Sequence, residues 1–382
     1  MRAWQLLEAC QAAGWTCVVA SAAAEHPARL ELETAGFRTQ QVEVNDMAFD
    51  SFVSELVPSL VVFDRFMTEE QFSWRVRAHA PHAMRVLDLV DLHALREARQ
   101  EACKAGVDAM SVQLDAGREK LQRELAAMWR SDVSLVISSA EMSMLDDLGL
   151  PESKRLYCPL VYEALQTTTG YSSREHFVFI GNFRHPPNAD AVVYLKEAIW
   201  PAIRSALPKA ELHVYGAYPP RHFMDMSNPG TGFIVKGPAR DLPETLARYR
   251  VCLAPLRFGA GLKGKILDSM GAGTPVVTSR VGGEGVFPVP HPSVVDAEAA
   301  FISTAVELYG NPSVWSRHQS LICEALDAFS PDLLVQSLAT LERLFANLSE
   351  VRVKDYSGQA FWQQTLRSTE YFSRWITAKN QR

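Results

Sequence analysis

Short β-rich runs alternate with helical patterns through almost the whole 382-residue chain. In the first half the runs are "WTCVVA" (15–20), "QVEV" (41–44), "LVVF" (60–63), "RVLDL" (85–89), "VSLVIS" (133–138) and "RLYC" (155–158). A second series follows with "HFVFIGN" (176–182), "ELHVYG" (211–216), "GFIVKG" (232–237), "VCLAP" (251–255) and "PVVTS" (275–279). Strands buried on both faces and separated by helices form parallel sheets in βαβ units. Two such series predict an α/β protein of two doubly wound domains. The length is ample for two cores. The break falls near "PLVYEALQTTTGYSS" (159–173), a Thr/Ser-rich stretch that begins with a proline.

Composition narrows the class. Apolar residues make up 47% and charged residues 21%, which suits a globular chain. The net charge of −6 gives no general attraction to nucleic acid or acidic membranes. No apolar run approaches the roughly 20 residues that span a bilayer. The opening "MRAWQLLEACQAAGW" has an amphipathic helix pattern without a signal-peptide layout, and a cytoplasmic protein is expected. Six scattered cysteines, none in a Cys-x-x-Cys pair, fit reduced thiols better than a disulfide framework or a zinc site.

The chemistry concentrates in "GAGLKGKILD" (259–268). Gly259, Gly264 and Lys265 sit where a P-loop wants them, but Ile266 replaces the hydroxyl that would bind Mg²⁺. A different reading fits better. The strand "VCLAP" leads through "LRFGAG" into the short helix "LKGKILDSMG", whose buried face is Ile266, Leu267 and Met270. Lys263 and Lys265 then oppose the positive end of the helix dipole, which suits a bound anion. The glycines, Gly261 among them, would let backbone N–H groups approach it. Asp268 lies three residues after Lys265 on the same face, placed for the hydroxyls of a ribose. A second glycine turn, Gly282-Gly283-Glu284-Gly285, follows the next strand and offers further amides. Two such loops at one sheet edge suit a nucleotide diphosphate. A solvated loop with ordinary surface lysines is the plainer alternative.

"PLRFGAGLKGKILDSMGAGTPVVTSRVGGEGV" resembles the donor-binding segment of family 4 glycosyltransferases, and "FIGNFRHPPNADAVVYLKEAIWPAI" (179–203) the start of their C-terminal domain, with its turn at Pro187, Asn188 and Asp190. The resemblance covers about 177–345. It implies the GT-B fold: two Rossmann-like domains facing a cleft, here 1–165 on the acceptor side and 170–350 for the nucleotide sugar. It also implies donor-diphosphate contact by Lys265, ribose contact by Asp268, and a sugar-facing loop around Glu284 and Gly285. The family's frequent pair of glutamates, eight apart, falls on Ala260 and Asp268, so the first carboxylate is absent.

"MRVLDLVDLHALREARQ" (84–100) resembles the Asp-Leu-His-x-Leu-Arg signature of one branch of these enzymes. Asp91 would cap a helix, Leu92 and Leu95 would pack inward, and His93 and Arg96 would share another face. By resemblance His93 lies beside the reacting sugar, with Asp91 next to it and Arg96 among the ligand contacts. A capped helix with an exposed His and Arg is the structural alternative. Asp64 and Arg65 repeat the arrangement after "LVVF", while Ser139 and Glu141 read as a helix cap. The family usually opens with a central strand and glycine turn, whereas this chain opens inside the following helix, so the first domain is expected to lack its first strand. The aromatic tail "FWQQTLRSTEYFSRWI" (361–376) places Phe361, Leu366, Phe372 and Trp375 on one stripe, and the helix 357–378 is expected to return to the first domain.

The resemblance implies transfer of a sugar from a nucleotide-diphosphate donor to a glycan, lipid or protein acceptor, with retention, without a metal and without a cofactor. A non-catalytic nucleotide-sugar-binding scaffold and a GT-B sugar-nucleotide epimerase are the alternatives.

Overall fold

The computed structural model describes residues 2–23, 27–163 and 169–380. They fall into two compact units that interleave along the chain. Unit 1 lies within 1–92, 115–159 and 332–382, and unit 2 within 93–114 and 160–331. The expected extents, 1–165 and 170–350, thus differ at three places, one of them residues 160–163, which fall in unit 2. Residues 93–114 belong with the second unit, because Ala109 lies in its apolar core and Cys103 and Met110 pack on that core. Residues 332–350 belong with the first.

Unit 2 carries five parallel strands: β7 (Glu175–Ile180), β8 (Leu212–Tyr215), β9 (Phe233–Gly237), β10 (Tyr249–Ala254) and β11 (Val276–Thr278). Their order is β11-β10-β7-β8-β9. The chain moves outward from β7 in one direction, then returns to its other side at β10. A doubly wound sheet places its ligand crevice at such a reversal, outside the carboxyl ends of the strands. Phe177, Phe179, Val251 and Leu253 are fully buried, so both central strands are fixed by apolar packing.

Unit 1 carries β1 (Val18–Ser21), β2 (Arg38–Gln41), β3 (Leu60–Asp64), β4 (Met84–Asp88), β5 (Val133–Val136) and β6 (Arg155–Tyr157). They form two sheets, a parallel pair β1-β2 and a four-stranded parallel sheet β3-β4-β5-β6. The helix Arg2–Ala12 leads into β1, and no strand precedes it among the described residues. At its start Arg2 donates to Asp88 at the end of β4 (3.1 Å) and to the Pro159 carbonyl (2.9 Å). β2 sits earlier than the expected 41–44. Its partner offers only four residues, pairing Val18 with Arg38 through Ser21 with Gln41, and Asn45 then turns with φ 69°.

The C-terminal helix, Tyr356–Asn380, packs on the helices Arg65–His79 and Glu119–Arg130 of unit 1. Only part of the expected stripe docks: Phe361 stacks on Trp129, their ring centroids 6.0 Å apart. Phe372 and Trp375 are 61% and 58% exposed, and the Leu366 side chain lies outside the described residues. Instead Trp362 is buried against Trp74, and its indole donates to the Arg130 carbonyl (3.0 Å). The guanidinium groups of Arg77 and Arg85 lie 4.7 and 4.9 Å from its ring. Farther along, Ser373 donates to the Asn45 side chain (2.6 Å) and Thr377 to the Asn45 carbonyl (2.7 Å). Deleting the central anchor should therefore loosen unit 1. Trp362→Ala is expected to cost about 3–5 kcal/mol, the scale for truncating a buried tryptophan. Urea unfolding would show this as a lower midpoint, and an unmoved midpoint would contradict the anchoring role.

Candidate donor-binding site

Three segments follow the carboxyl ends of β7, β10 and β11. After β7 the chain turns through Gly181 into the helix Pro186–Tyr194. A Cβ at Gly181 would lie 2.6 Å from Cγ of Asn188, so glycine is needed for Asn188 to approach the turn. The Asn188 amide donates to the Asn182 carbonyl (2.9 Å), and its oxygen accepts from the Lys265 ammonium. Asp190, two residues on, holds Arg257 (2.8 Å).

After β10 the chain passes through Gly261 (φ 64°) into the site helix Gly264–Gly271, with Lys263 at its N-cap. Ile266, Leu267 and Met270 are buried beneath it. Ile266 faces the core, so a hydroxyl there would not meet a ligand, and the P-loop reading loses its remaining support. Lys265 lies over the Phe179 ring, its nitrogen 4.6 Å from the centroid. Desolvation pushes its pKa down to about 7; nearby Cys252 and Asp268 oppose the shift and Lys263 adds to it. One turn on, Asp268 accepts from the Tyr162 hydroxyl (2.9 Å). Burial raises the Asp268 carboxyl to about 7, against the hydrogen bond from Tyr162 and the charge of Lys265. Desolvation and the Asp268 carboxylate together raise the Tyr162 phenol.

After β11 comes Ser279, then the turn Arg280–Gly283 and Glu284. Ser279 already accepts from the amides of Gly282 (3.2 Å, side chain) and Gly283 (2.9 Å, carbonyl). A Cβ at Gly282 would lie 1.9 Å from the Thr278 hydroxyl, and one at Gly283 would lie 2.7 Å from Val294. These two glycines thus serve close packing, and Gly285 (φ 74°) supplies the left-handed turn. The Glu284 carboxylate is forked by Arg99, at 2.6 and 2.7 Å. Lys263 stands 3.7 Å away and donates to the Gly261 carbonyl (2.7 Å). Burial would raise the Glu284 carboxyl, but the bonds from Arg99 and the charge of Lys263 hold it below the usual range.

The structure therefore gathers Gly261, Lys263, Lys265, Asp268, Gly283, Glu284 and Gly285 at one end of the unit 2 sheet. Of the first-half candidates, His93 and Arg96 fall in unit 2, on the helix that carries Arg99, and Asp91 falls in unit 1. Asp91 is buried in unit 1, where the neighbouring Leu92 amide donates to Glu141 (3.0 Å). His93 is buried at the start of the helix His93–Lys104, and Arg96 is half-buried one turn on. Asp88 is held by Arg2, and the exposed Asp64 pairs with Arg65 at 3.7 Å.

Two residues of the site escaped sequence reasoning. Arg99 had a visible signal. It falls four after Leu95 and seven after Leu92, on the buried face of its helix, where a charge demands a partner. Tyr162 had none, since it lies in the stretch read as the break between domains.

Residues 174–311 match the family model for glycosyl transferases group 1, which is a family of enzymes. No curated protein matches the chain in sequence. Among solved structures, the chain is similar to sucrose-phosphate synthase from Thermosynechococcus elongatus, with 17% identity, TM-score 0.64, and 90% of this chain against 92% of that one. It is similar to HepE from Anabaena in complex with UDP, with 12% identity, TM-score 0.65, and 89% against 96%. The pneumococcal O-GlcNAc transferase GtfA, in complex with UDP and GlcNAc, matches at 15% identity and TM-score 0.60 over 78% of this chain. This chain spans only 59% of that protein. The shared architecture is the GT-B fold.

The half-buried, desolvated lysine makes stability depend on pH. In the unfolded chain Lys265 keeps its charge into the ordinary lysine range, whereas in the fold it loses it near pH 7. Below that pH the fold holds a desolvated charge, and the cost fades as pH rises from 7 toward 10. Lys265→Met should gain stability over wild type at pH 6, and the gain should shrink by pH 9. Melting curves at the two pH values test this; a difference that does not vary with pH would show that Lys265 is not desolvated.

Proposed function

We propose that this protein is a glycosyltransferase that binds a nucleotide-diphosphate sugar at the carboxyl end of the unit 2 sheet and transfers the sugar, with retention, to an acceptor. The observation that carries the reading is the pairing of Lys265 and Asp268 on one helix at the β7–β10 reversal. The lysine stands at the positive end of the helix and the carboxylate one turn inward. In this reading Lys265 and Lys263 meet the diphosphate, and Asp268, steadied by Tyr162, meets the ribose. The loop at Gly261 and the turn from Gly283 to Gly285 frame the phosphates and the sugar.

Leaving-group charge on the diphosphate would be met by the two lysines and the helix N-terminus, fixed before the reaction. That supply makes a resident metal unnecessary to the proposal. His93 is assigned beside the reacting sugar, with Asp91 and Arg96 supporting it. HepE and GtfA in complex with UDP recommend UDP as the first nucleotide to try.

Isothermal titration tests the assignment. Lys265→Ala should weaken UDP binding by about 1.5–3 kcal/mol, the scale of one hydrogen bond to a charged group. Asp268→Ala should weaken UDP while leaving inorganic pyrophosphate nearly unchanged. Equal affinity of Lys265→Ala and wild type would remove the diphosphate from this end of the sheet.

A further inference from the structure

We infer that Arg99 is the positioning residue that locks the two loops of the donor site into one frame; the inference rests on the nucleotide-sugar reading above. Arg99 lies on the helix His93–Lys104 and is 2% exposed. One face of its guanidinium fork takes both oxygens of Glu284, in the turn after β11. The same Nη1 also donates to the Gly259 carbonyl (2.9 Å), in the loop after β10. One side chain therefore ties the two loops together, alongside the Ser279 hydroxyl on the Leu256 carbonyl and the longer Lys263–Glu284 contact, at the place where both must face the same ligand.

Stability alone is a weak reason for such an arginine. Its Nε is buried without a partner, and a buried donor left unmade costs free energy. A buried ion pair can often be replaced by apolar side chains at no loss. The pair does matter for the charge of the site. With Arg99 in place, Glu284 is neutralised by the fork, and Lys263 can remain bonded to the Gly261 carbonyl at the N-cap. Without Arg99, the Glu284 carboxylate would stand unshielded 3.7 Å from Lys263. It would draw that lysine away from an incoming diphosphate and oppose the anion directly.

The test measures UDP affinity and melting temperature together, for wild type, Arg99→Lys, Arg99→Met, Glu284→Leu and the double variant Arg99→Met/Glu284→Leu. Arg99→Lys should fold as wild type yet bind UDP several-fold less tightly, because an ammonium cannot fork a carboxylate and reach Gly259 at once. Arg99→Met should lose at least tenfold. The double variant should recover the wild-type melting temperature without recovering affinity, and its loss should not exceed the larger single loss, because both residues act on one frame. Affinity that returns with stability would make the pair merely structural and overturn the inference. Lys265→Ala separates this from the parent reading. If wild type binds UDP, Lys265→Ala loses it and Arg99→Met binds normally, only the role of Arg99 falls. If wild type does not bind UDP, both fall.

Discussion

A half-buried lysine ammonium at the positive end of a helix is the constraint around which unit 2 is arranged. Desolvation and the helix dipole both act against the charge of Lys265. The protein answers with neutral and partial compensation: the Asn188 oxygen, the Phe179 ring face, and an Asp268 that is itself pushed toward its protonated form. None of these is a full counter-charge at the helix end. A dianionic phosphate group would be, and it would raise the lysine pKa again on binding. The surrounding structure keeps this arrangement from relaxing. Ile266, Leu267 and Met270 anchor the helix in the core, and the absence of a Cβ at Gly181 lets Asn188 come near.

Much of this was legible because it is local. Strands such as "FVFI" and "VCLA" are apolar at every position, which only a sheet covered on both faces explains. Lys263, Lys265 and Asp268 follow one another on one short helix, so their spacing already describes a site. The contributions of Arg99, Tyr162 and the Asn188 oxygen were not legible as ligands of this cluster. Each comes from another element and reaches it only through the fold. The second glycine turn was legible as a turn but not in its purpose, since Gly282 and Gly283 make room for Thr278 and Val294.

The division of the chain shows the same limit on a larger scale. Hydrophobic periodicity locates helices but does not say which core receives them. The helix His93–Lys104 has one apolar face, as either unit would require, and the packing of Cys103, Ala109 and Met110 decides for unit 2. The C-terminal helix misleads in the opposite way. Its aromatic stripe is visible in the sequence, but of that stripe Phe361 docks, on Trp129, while Phe372 and Trp375 stay exposed; the other contacts are Trp362 among arginines and two hydroxyls on Asn45. Buried ion pairs then brace unit 1 where its sheets are small. Glu69 with Arg130, and Asp132 with both Arg85 and Arg352, join its helices and strands.

The central claim is that a nucleotide diphosphate binds where the loops after β7, β10 and β11 converge. Hydrogen–deuterium exchange with and without saturating UDP tests it most directly. The account predicts slowed exchange in residues 181–188, 257–268 and 279–287, all within unit 2. UDP that binds while leaving those three stretches unprotected, with slowing confined to other parts of the chain, would contradict it.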